Sequence, residues 1–341
     1  MREPHEKPQK SKVAKIVTLF ATFAVLLILA LIIAAYSYIT SKFDRANVVQ
    51  RQDSADIISD EIVPTDADTS TAIPEIQQKS GVINIMLIGV DNDYLPGMSD
   101  RGNADGLILV SINSDTKQIV MTSIMRDIFI QIPNQYKTKI TLVYHDQGTD
   151  ALLNTIEDNF DIEIDNYVMV NYLNVIDIVD ALGGLELEVT AAEIAGMQRK
   201  IDNLNSLTGD PYGTDMLTAE DAGMQLLNGK QVAALLRIRN TGNNDFGRTA
   251  RARTILTAMK DRAMDMSLSE LNNLANVVME NITTDMDTTE MMKLLLKAPT
   301  YMGYEFVSNR IPIEGSYTTD KSYVYLDYDV NKDALHDVIF G

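Results

Sequence analysis

An uncharged run near the N-terminus constrains the fold of this chain more than any other feature. Residues 16–39 form 24 consecutive positions without a charged side chain. As an α-helix the run would be about 36 Å long, which is enough to cross a hydrocarbon core of about 30 Å. The alternative, a cleaved signal peptide, has an apolar region of only about 7–15 residues. The run therefore predicts one retained transmembrane helix over 16–39.

The residues on either side of this run predict its orientation. Residues 1–15 carry five basic side chains against two glutamates. Basic residues beside a membrane helix favour the cytoplasmic side, so 1–15 is expected to be a cytoplasmic tail and everything beyond residue 40 to be extracytoplasmic. Residues 44–78 contain eight acids against two arginines. We therefore expect 40–81 to be an acidic, extended stalk that holds the rest of the protein away from the membrane.

The remaining residues, 82–341, are predicted to form one α/β domain. Residues 83–90 are a continuous apolar run, which is typical of a central strand buried on both faces. Further strands are predicted at 107–112, 118–124, 185–190, 301–313 and 321–327, and helices at 150–160, 172–182, 218–227, 269–280 and 288–296. Residues 191–216 are polar and contain Gly and Asn, which predicts a loop or excursion near the functional site. The alternation indicates a layered α/β/α domain with a central, mostly parallel or mixed sheet.

Composition and motif content exclude several classes of function. The chain has no cysteine, which rules out disulfides, thiolate metal sites and cysteine nucleophiles. A formal net charge of -19 argues against nucleic-acid binding, which needs a basic face. The sequence contains no phosphate-binding glycine loop, no serine-hydrolase elbow and no HExxH metal motif. Carboxylate and guanidinium chemistry remains, at Asp91, Asp105, Arg126 and Asp127.

The segment 231–253 is basic within an acidic protein. It carries one acid, Asp245, and five arginines: Arg237, Arg239, Arg248, Arg251 and Arg253. Residues 232–239 are predicted to form a strand, which would place Arg237 and Arg239 on the same face. After a loop rich in Asn and Gly, 248–260 shows helical spacing, with Arg248 and Arg251 on one face.

Arginines gathered in this way indicate an anion site. A guanidinium is suited to bidentate phosphate contacts, and a helix N-terminus adds unpaired N–H groups and the positive end of a dipole. Four guanidiniums close together would repel one another unless an anion lay between them. The alternative is a solvated basic helix face. The strand–loop–helix context and the acidity of the whole chain favour a phosphate or pyrophosphate site.

At these residues the chain resembles a known family. LNGKQVAALLRIR (227–239) and DFGRTARAR (245–253) are similar to the hallmark segments of the LytR-CpsA-Psr family of cell-envelope proteins. The resemblance continues in INIMLIGVD (83–91), SIMRDIFIQIP (123–133), KITLVY (139–144) and IVDALGGLELEV (178–189). These motifs define a core over 82–262, and 263–341 resembles the C-terminal portion of the family.

The resemblance implies both an activity and a set of site residues. The family moves a glycan phosphate from a polyprenyl-pyrophosphate carrier to peptidoglycan, attaching teichoic acids, capsules or other polymers outside the membrane. By motif, Asp105, Arg126 and Arg248 are implied to be catalytic, and Arg126, Arg237, Arg239, Arg248 and Arg251 to bind pyrophosphate. Asp91 and Asp105 are implied to hold Mg²⁺, which prefers oxygen ligands. Asp245 is expected to orient an arginine or to cap the helix.

The chain also departs from the family pattern. The family usually has arginines where this chain has Asp93 and Asn103, and Arg101 could replace at most one of them. A catalytically inactive relative that binds lipid-linked glycans is therefore an alternative to the transferase. A third role, transcriptional attenuation, is disfavoured because an acidic extracytoplasmic domain cannot readily contact DNA.

Overall fold

The structure is a computed structural model that describes residues 41–51, 81–91, 101–238 and 244–341. Contacts divide the chain into two compact units, 1–45 and 46–341. The predicted transmembrane helix and the residues Asp93 and Arg239 lie outside the described residues. Within the described ranges, no helix is both long and apolar enough to cross a membrane.

The unit 46–341 alternates strands and helices. The strands are β1 Asn47–Val48, β2 Val82–Val90, β3 Ala104–Asn113, β4 Gln118–Ile124, β5 Phe129–Gln131, β6 Lys137–Lys139, β7 Asn166–Asn171, β8 Leu185–Val189, β9 Gly223–Leu227, β10 Thr283–Thr284, β11 Glu305–Ile311, β12 Tyr317–Asp320 and β13 Tyr323–Leu326. The helices are α1 Ile140–Gln147, α2 Thr149–Phe160, α3 Tyr172–Ala181, α4 Ala191–Thr208, α5 Gly229–Arg237, α6 Asn244–Met264, α7 Leu268–Asn281, α8 Thr288–Tyr301 and α9 Tyr328–Phe340.

Seven strands form one central sheet in the order β1-β10-β7-β2-β3-β4-β11. The pairs β7–β2 and β4–β11 are parallel, whereas β2–β3 and β3–β4 are antiparallel. The expectation of an α/β fold with a mixed central sheet is therefore confirmed. Strands β2, β3 and β4 are rich in apolar residues and mostly buried along their length, as expected for strands covered on both faces.

One core cluster covers one face of this sheet. Side chains of α1, α2 and α9 pack there against alternate residues of the central strands, among them Met86, Leu109 and Ile124. On the opposite face, Lys260 of α6 places its ammonium 4.4 Å from the ring centroid of Phe306 on β11. We call the seven-stranded sheet with α1, α2 and α9 the sheet region.

A second core cluster holds α3, α4, α5, α6 and the two-stranded antiparallel sheet β8–β9 together. Its members include Val179, Met197 and Val232, all fully buried. We call this group of elements the helical region. Helix α3 follows β7 directly, so the chain passes from the sheet region into the helical region without a loop.

Three sequence predictions in the helical region are wrong. Residues predicted as the strand 232–239 lie in α5 up to Arg237. Asn228 caps this helix by accepting from the Gln231 amide, while Gln231 accepts from the Asn228 amide, and such a reciprocal cap favours a helix.

The other two errors flank this helix. Most of the predicted loop 191–216 is α4, which is capped in the same reciprocal way by Thr190 and Glu193. The predicted helix 218–227 is one short turn followed by β9, because β9 pairs with β8 in a two-stranded antiparallel sheet.

The described end of the predicted stalk also belongs to the sheet region. Asn47 and Val48 pair with Thr283 and Thr284 of β10. Arg51 forms an ion pair with Glu157 and donates to the Ile164 carbonyl at 3.1 Å. The sheet therefore begins upstream of residue 82, where the sequence motifs begin.

Candidate functional site

Two aspartates lie at one end of the β2–β3 pair. Asp91 follows β2, and its amide donates to the Asn103 carbonyl at 3.0 Å. Asp105 lies within β3 at a register shift: Val90 pairs with Ala104 and Gly89 with Gly106, so Asp105 is an extra residue. A bulge of this kind redirects a side chain. Both carboxylates line the same cavity as a result.

Asp105 holds two arginines that are distant in sequence. Arg126, just beyond β4, donates from Nη1 to Asp105 Oδ1 at 2.5 Å. Arg248 of α6 donates from Nη1 to Asp105 Oδ2 at 3.2 Å. The side chains of Asp105 and Arg248 are 5% and 6% exposed, so this contact is almost dry. The carboxylate thus separates two guanidiniums that would otherwise repel each other.

Arg237 approaches the site from the C-terminal end of α5. Its guanidinium carbon lies 4.7 Å from the centroid of the Tyr172 ring, in cation–π contact. Burial, with a further contribution from Asp105, raises the pKa of Tyr172 to about 12, although Arg248 and Arg237 oppose the effect. Tyr172 therefore remains a neutral phenol at physiological pH, and its ring supports the arginine without adding charge.

The other two described arginines of the basic segment have different environments. Arg251 donates to the Ile238 carbonyl at 2.7 Å and lies 3.7 Å from Glu193 of α4. Burial lowers the pKa of Arg251, opposed by Glu193 and assisted by Arg248. Burial also lowers the pKa of Arg253, and the nearby Arg310 of β11 adds to the effect. Arg253 thus faces the sheet near β11.

Six side chains line a cavity of about 50 Å³ at this point: Asp91, Asp105, Tyr172, Lys200, Arg237 and Arg248. The aspartates come from the sheet region, and the other four residues come from the helical region. The site is therefore built where the two regions meet. Its lining contains one more cation than carboxylates, which suits an anionic ligand.

The structure brings together most of the residues that the sequence predicted. Asp91, Asp105, Arg237 and Arg248 line the cavity, and Arg126 is bound to Asp105. Arg251 lies one helical turn from Arg248 and contacts α4. Arg239 and the side chain of Asp245 lie outside the described parts of the chain.

Two lining residues were missed by the sequence analysis. Tyr172 begins α3, and no motif marks it. Lys200 lies in the segment predicted to be a loop or excursion near the site, and without the helix this particular side chain could not be chosen. The signal that could have placed it is the Thr190–Glu193 capping pair, which predicts a helix through this segment.

The positions that depart from the family pattern are visible in part. Asn103 donates from its backbone amide and from Nδ2 to the carboxylate of Asp91, at 2.5 and 3.5 Å. Arg101 lies beside Gly148, where an added Cβ would be 3.7 Å from Arg101 Cζ. Asp127 accepts from Lys139 at 2.6 Å and lies 3.5 Å from Arg126 Nε. Asn103 therefore supplies an amide, not a positive charge, beside Asp91.

The two carboxylates can contribute to a magnesium site only together with other oxygens. No group of three or more acidic or histidine side chains with metal-ligand spacing occurs in the described ranges. Mg²⁺ is nevertheless commonly bound by one or two carboxylates plus substrate phosphates and water. Asp91 and Asp105 on one cavity fit that limited donor set, and each carboxylate oxygen has more than one lone pair.

Known proteins resemble this chain in sequence. A teichoic acid transferase of Oceanobacillus iheyensis, named polyisoprenyl-teichoic acid–peptidoglycan teichoic acid transferase TagU, is 27% identical over 279 residues, which is 79% of each chain. The protein of the same name from Bacillus subtilis is 27% identical over 263 residues, which is 76% of each.

Solved structures share the fold. The family protein YwtF (TagT), solved with bound octaprenyl pyrophosphate lipid, superposes with a TM-score of 0.55 at 20% identity, over 77% of this chain and 92% of that one. At this identity the match establishes the fold. The family model described as LytR_cpsA_psr family matches residues 42–337, almost all of the chain beyond its first 41 residues. This chain belongs to the LytR-CpsA-Psr family.

Proposed function

We propose that this chain transfers a glycan phosphate from a polyprenyl-pyrophosphate carrier to peptidoglycan outside the cell membrane. The observation that carries the proposal is the buried arrangement in which Asp105 holds Arg126 and Arg248 at a cation-rich cavity. Two relatives described above are named as teichoic acid transferases, and a third was solved with octaprenyl pyrophosphate.

Phosphoryl transfer of this type needs positioning and charge neutralisation more than covalent chemistry by the protein. An acceptor hydroxyl attacks the phosphorus that carries the glycan, a phosphodiester forms, the anhydride bond to the carrier phosphate breaks, and the hydroxyl proton passes to the departing phosphate or to water. The departing polyprenyl phosphate gains negative charge as this bond breaks. Arg248 and Arg237 line the cavity, and we assign them to hold the pyrophosphate oxygens, with Arg126 fixed behind them by Asp105.

We further propose that Asp91 and Asp105 hold Mg²⁺ together with the phosphate oxygens. A bound Mg²⁺ would neutralise charge that develops on the phosphate oxygens. Independently of the metal, Asp105 fixes the two guanidiniums, and Asn103 fixes the carboxylate of Asp91. The donor set described above supports this proposal.

We propose that residues 1–15 are cytoplasmic, that residues 16–39 span the membrane and that the remainder is extracytoplasmic. The uncharged run and the preceding basic residues support this orientation. The chain has no cysteine, so Ser11→Cys and Ser54→Cys can be compared cleanly with a membrane-impermeant thiol reagent on intact cells. We expect labelling at position 54 only. Labelling at position 11 but not at 54 would show that the proposed topology is inverted.

A binding protein without transferase activity is the second candidate. A contact of Asn103 favours it. At a position where the family pattern has an arginine, Asn103 donates hydrogen bonds to the carboxylate of Asp91. Such a protein would bind the lipid-linked glycan through the same arginines and release no product.

One experiment separates these candidates. The full chain in detergent micelles is mixed with a polyprenyl-pyrophosphate-linked disaccharide, Mg²⁺ and peptidoglycan fragments, and release of polyprenyl phosphate is measured beside calorimetric binding. We expect release from the parent and none from Arg248→Ala. Binding without release in the parent would leave the binding protein. The absence of binding would contradict both candidates.

A further inference from the structure

Lys200 contributes to the cavity from outside the family motifs. It lies on α4 and lines the cavity with Arg237, Arg248 and the two aspartates. The predictions from sequence placed every cation of the site in or near strand ends and in the basic segment. Lys200 is half-buried and reaches the site from a third direction.

The geometry of α4 shows that Lys200 faces the site. The buried stripe of α4 consists of Ile194, Met197, Ile201 and Leu204. Lys200 lies on one flank of this stripe, and Glu193, seven residues earlier, lies on the same flank. Glu193 Oε1 is 3.7 Å from Arg251 Nη1, so this flank faces α6 and its arginines. The neighbouring Arg199 is on the opposite side of the helix and is exposed.

The charges of the cavity lining make Lys200 decisive for anion binding. The lining has two carboxylates and three cations, of which Lys200 is one. Without Lys200 the described lining residues would have as many negative as positive charges, and the further cation Arg126 is bound to Asp105. A diphosphate carries at least two negative charges near neutral pH, and in a partly desolvated site its binding depends on a local excess of positive charge.

The sheet region does not provide this excess at the end of β2 and β3. Asn103 contributes an uncharged amide that is hydrogen-bonded to Asp91. The guanidinium of Arg101 lies beside Gly148, at the junction of α1 and α2. Among the described residues that line the cavity, the positive charges that can balance Asp91 therefore come from the helical region.

We propose that Lys200 is a diphosphate-binding residue of this site and replaces, from α4, a guanidinium that Asn103 does not supply. This inference rests on the proposed function. A lysine ammonium is a compact charge with three donors on a flexible stem, so it can contact phosphate without the fixed fork geometry of an arginine. The proposal makes α4 part of the ligand site as well as a support for α6.

The test measures calorimetric binding of farnesyl pyrophosphate to the full chain in detergent micelles. Lys200→Met removes the charge and keeps most of the side-chain volume, and Lys200→Gln is a second neutral variant in case the first does not fold. We expect binding to weaken tenfold to a hundredfold, as for the loss of a charged hydrogen bond. Lys200→Arg should restore binding to within about threefold, which a purely structural role of α4 would not predict.

Two controls make the outcome decisive. Arg199→Met removes the same charge one residue away and should change binding less than about twofold, because exposed charges contribute little. If either folded neutral Lys200 variant binds as the parent does while Arg248→Ala loses binding, the role of Lys200 is wrong and the proposed function stands. If the parent itself does not bind farnesyl pyrophosphate, the proposed function fails and this inference fails with it.

Discussion

The sheet region and the helical region contribute opposite charges to one site. The sheet region supplies Asp91 and Asp105 from the ends of paired strands, and the helical region supplies Lys200, Arg237 and Arg248 from helices. Strand ends are fixed by backbone ladders, so the carboxylates are held rigidly. The cations are carried on long side chains, and their placement depends on how α4, α5 and α6 pack.

Because of this difference, substitutions on the two sides of the site should affect different properties. Loss of a carboxylate leaves buried guanidiniums without compensation, and the cost appears first in stability. Loss of Lys200 or Arg237 leaves Asp105 paired with both of its arginines and removes attraction for the ligand, so the cost appears first in binding.

Asp105→Asn tests the sheet side and should have the largest effect. Removing one partner from a buried ion pair costs about 3–5 kcal/mol, and Asp105 serves two arginines. We expect the thermal unfolding midpoint to fall by several degrees. Inorganic pyrophosphate should raise the midpoint more in the variant than in the parent, because the added anion replaces the lost carboxylate. Turnover should fall far more than lipid binding across a magnesium titration.

A matched control for this variant is Asp261→Asn on the exposed part of α6. The Asp261 side chain is 61% exposed and lies 2.8 Å from Lys260. Exposed pairs contribute about 0–1 kcal/mol, so this substitution should leave the midpoint almost unchanged. Equal losses in the two variants would show that Asp105 does not hold the arginines together.

Arg248→Ala and Arg251→Ala test the helical side, and the structure separates them. Arg248 lines the cavity, so its loss should weaken farnesyl pyrophosphate binding tenfold to a hundredfold. Arg251 contacts Ile238 and Glu193 and is not among the described residues that line the cavity, so its loss should weaken binding less. Calorimetric binding of both variants checks this order. The reverse order would mean that Arg251 contacts the diphosphate directly.

Tyr172→Leu should have a smaller effect, through Arg237. A cation–π contact is worth about 0.5–2 kcal/mol, so binding should weaken about twofold to thirtyfold, whereas Tyr172→Phe keeps the ring and should match the parent. The raised pKa of Tyr172, about 12, means that the neutral phenol's contribution to stability is present below its ordinary pKa of 10.0 and is lost as pH rises through about 12. Binding profiles of parent and Tyr172→Phe should therefore coincide between pH 6 and 9. Divergence in that window would contradict a neutral, supporting role.

The sheet region could be predicted from the sequence because its signals are local. The apolar run of β2 and the strands β3 and β4 have bounds close to those expected, since strands buried on both faces are continuous apolar segments. The β2–β3 bulge could not be predicted, because a register shift depends on pairing between strands. The motif alone therefore selects Asp105, and its contacts with two arginines emerge only from the fold.

The helical region was harder to predict because its segments have mixed signals. The apolar run before Arg237 ends in two arginines spaced two apart, which imitates a strand, and only the Asn228–Gln231 cap indicates a helix. The polar composition of α4 suggested a loop and hid Lys200. Repulsion among the arginines predicts an anion between them. In the structure, the carboxylate of Asp105 is an anion of the chain itself that lies between Arg126 and Arg248.

Asn103→Arg should have the smallest effect. It tests whether the cations of the helical region are enough for binding and transfer without an arginine at this position. The new guanidinium would lie beside Asp91 in place of an amide, and a partly exposed ion pair contributes about 0.2–1 kcal/mol. Binding of farnesyl pyrophosphate should therefore tighten by no more than about fivefold, with a matching rise in polyprenyl phosphate release.

Arg101→Ala is the partner experiment, and because Arg101 lies beside Gly148 its loss should change binding less than twofold. If Arg101→Ala instead weakens binding tenfold while Asn103→Arg changes nothing, Arg101 reaches the substrate and the sheet region supplies its own cation. If both the parent and Asn103→Arg bind the lipid-linked disaccharide but release no polyprenyl phosphate, the arginine at this position does not limit activity and the chain is the binding protein.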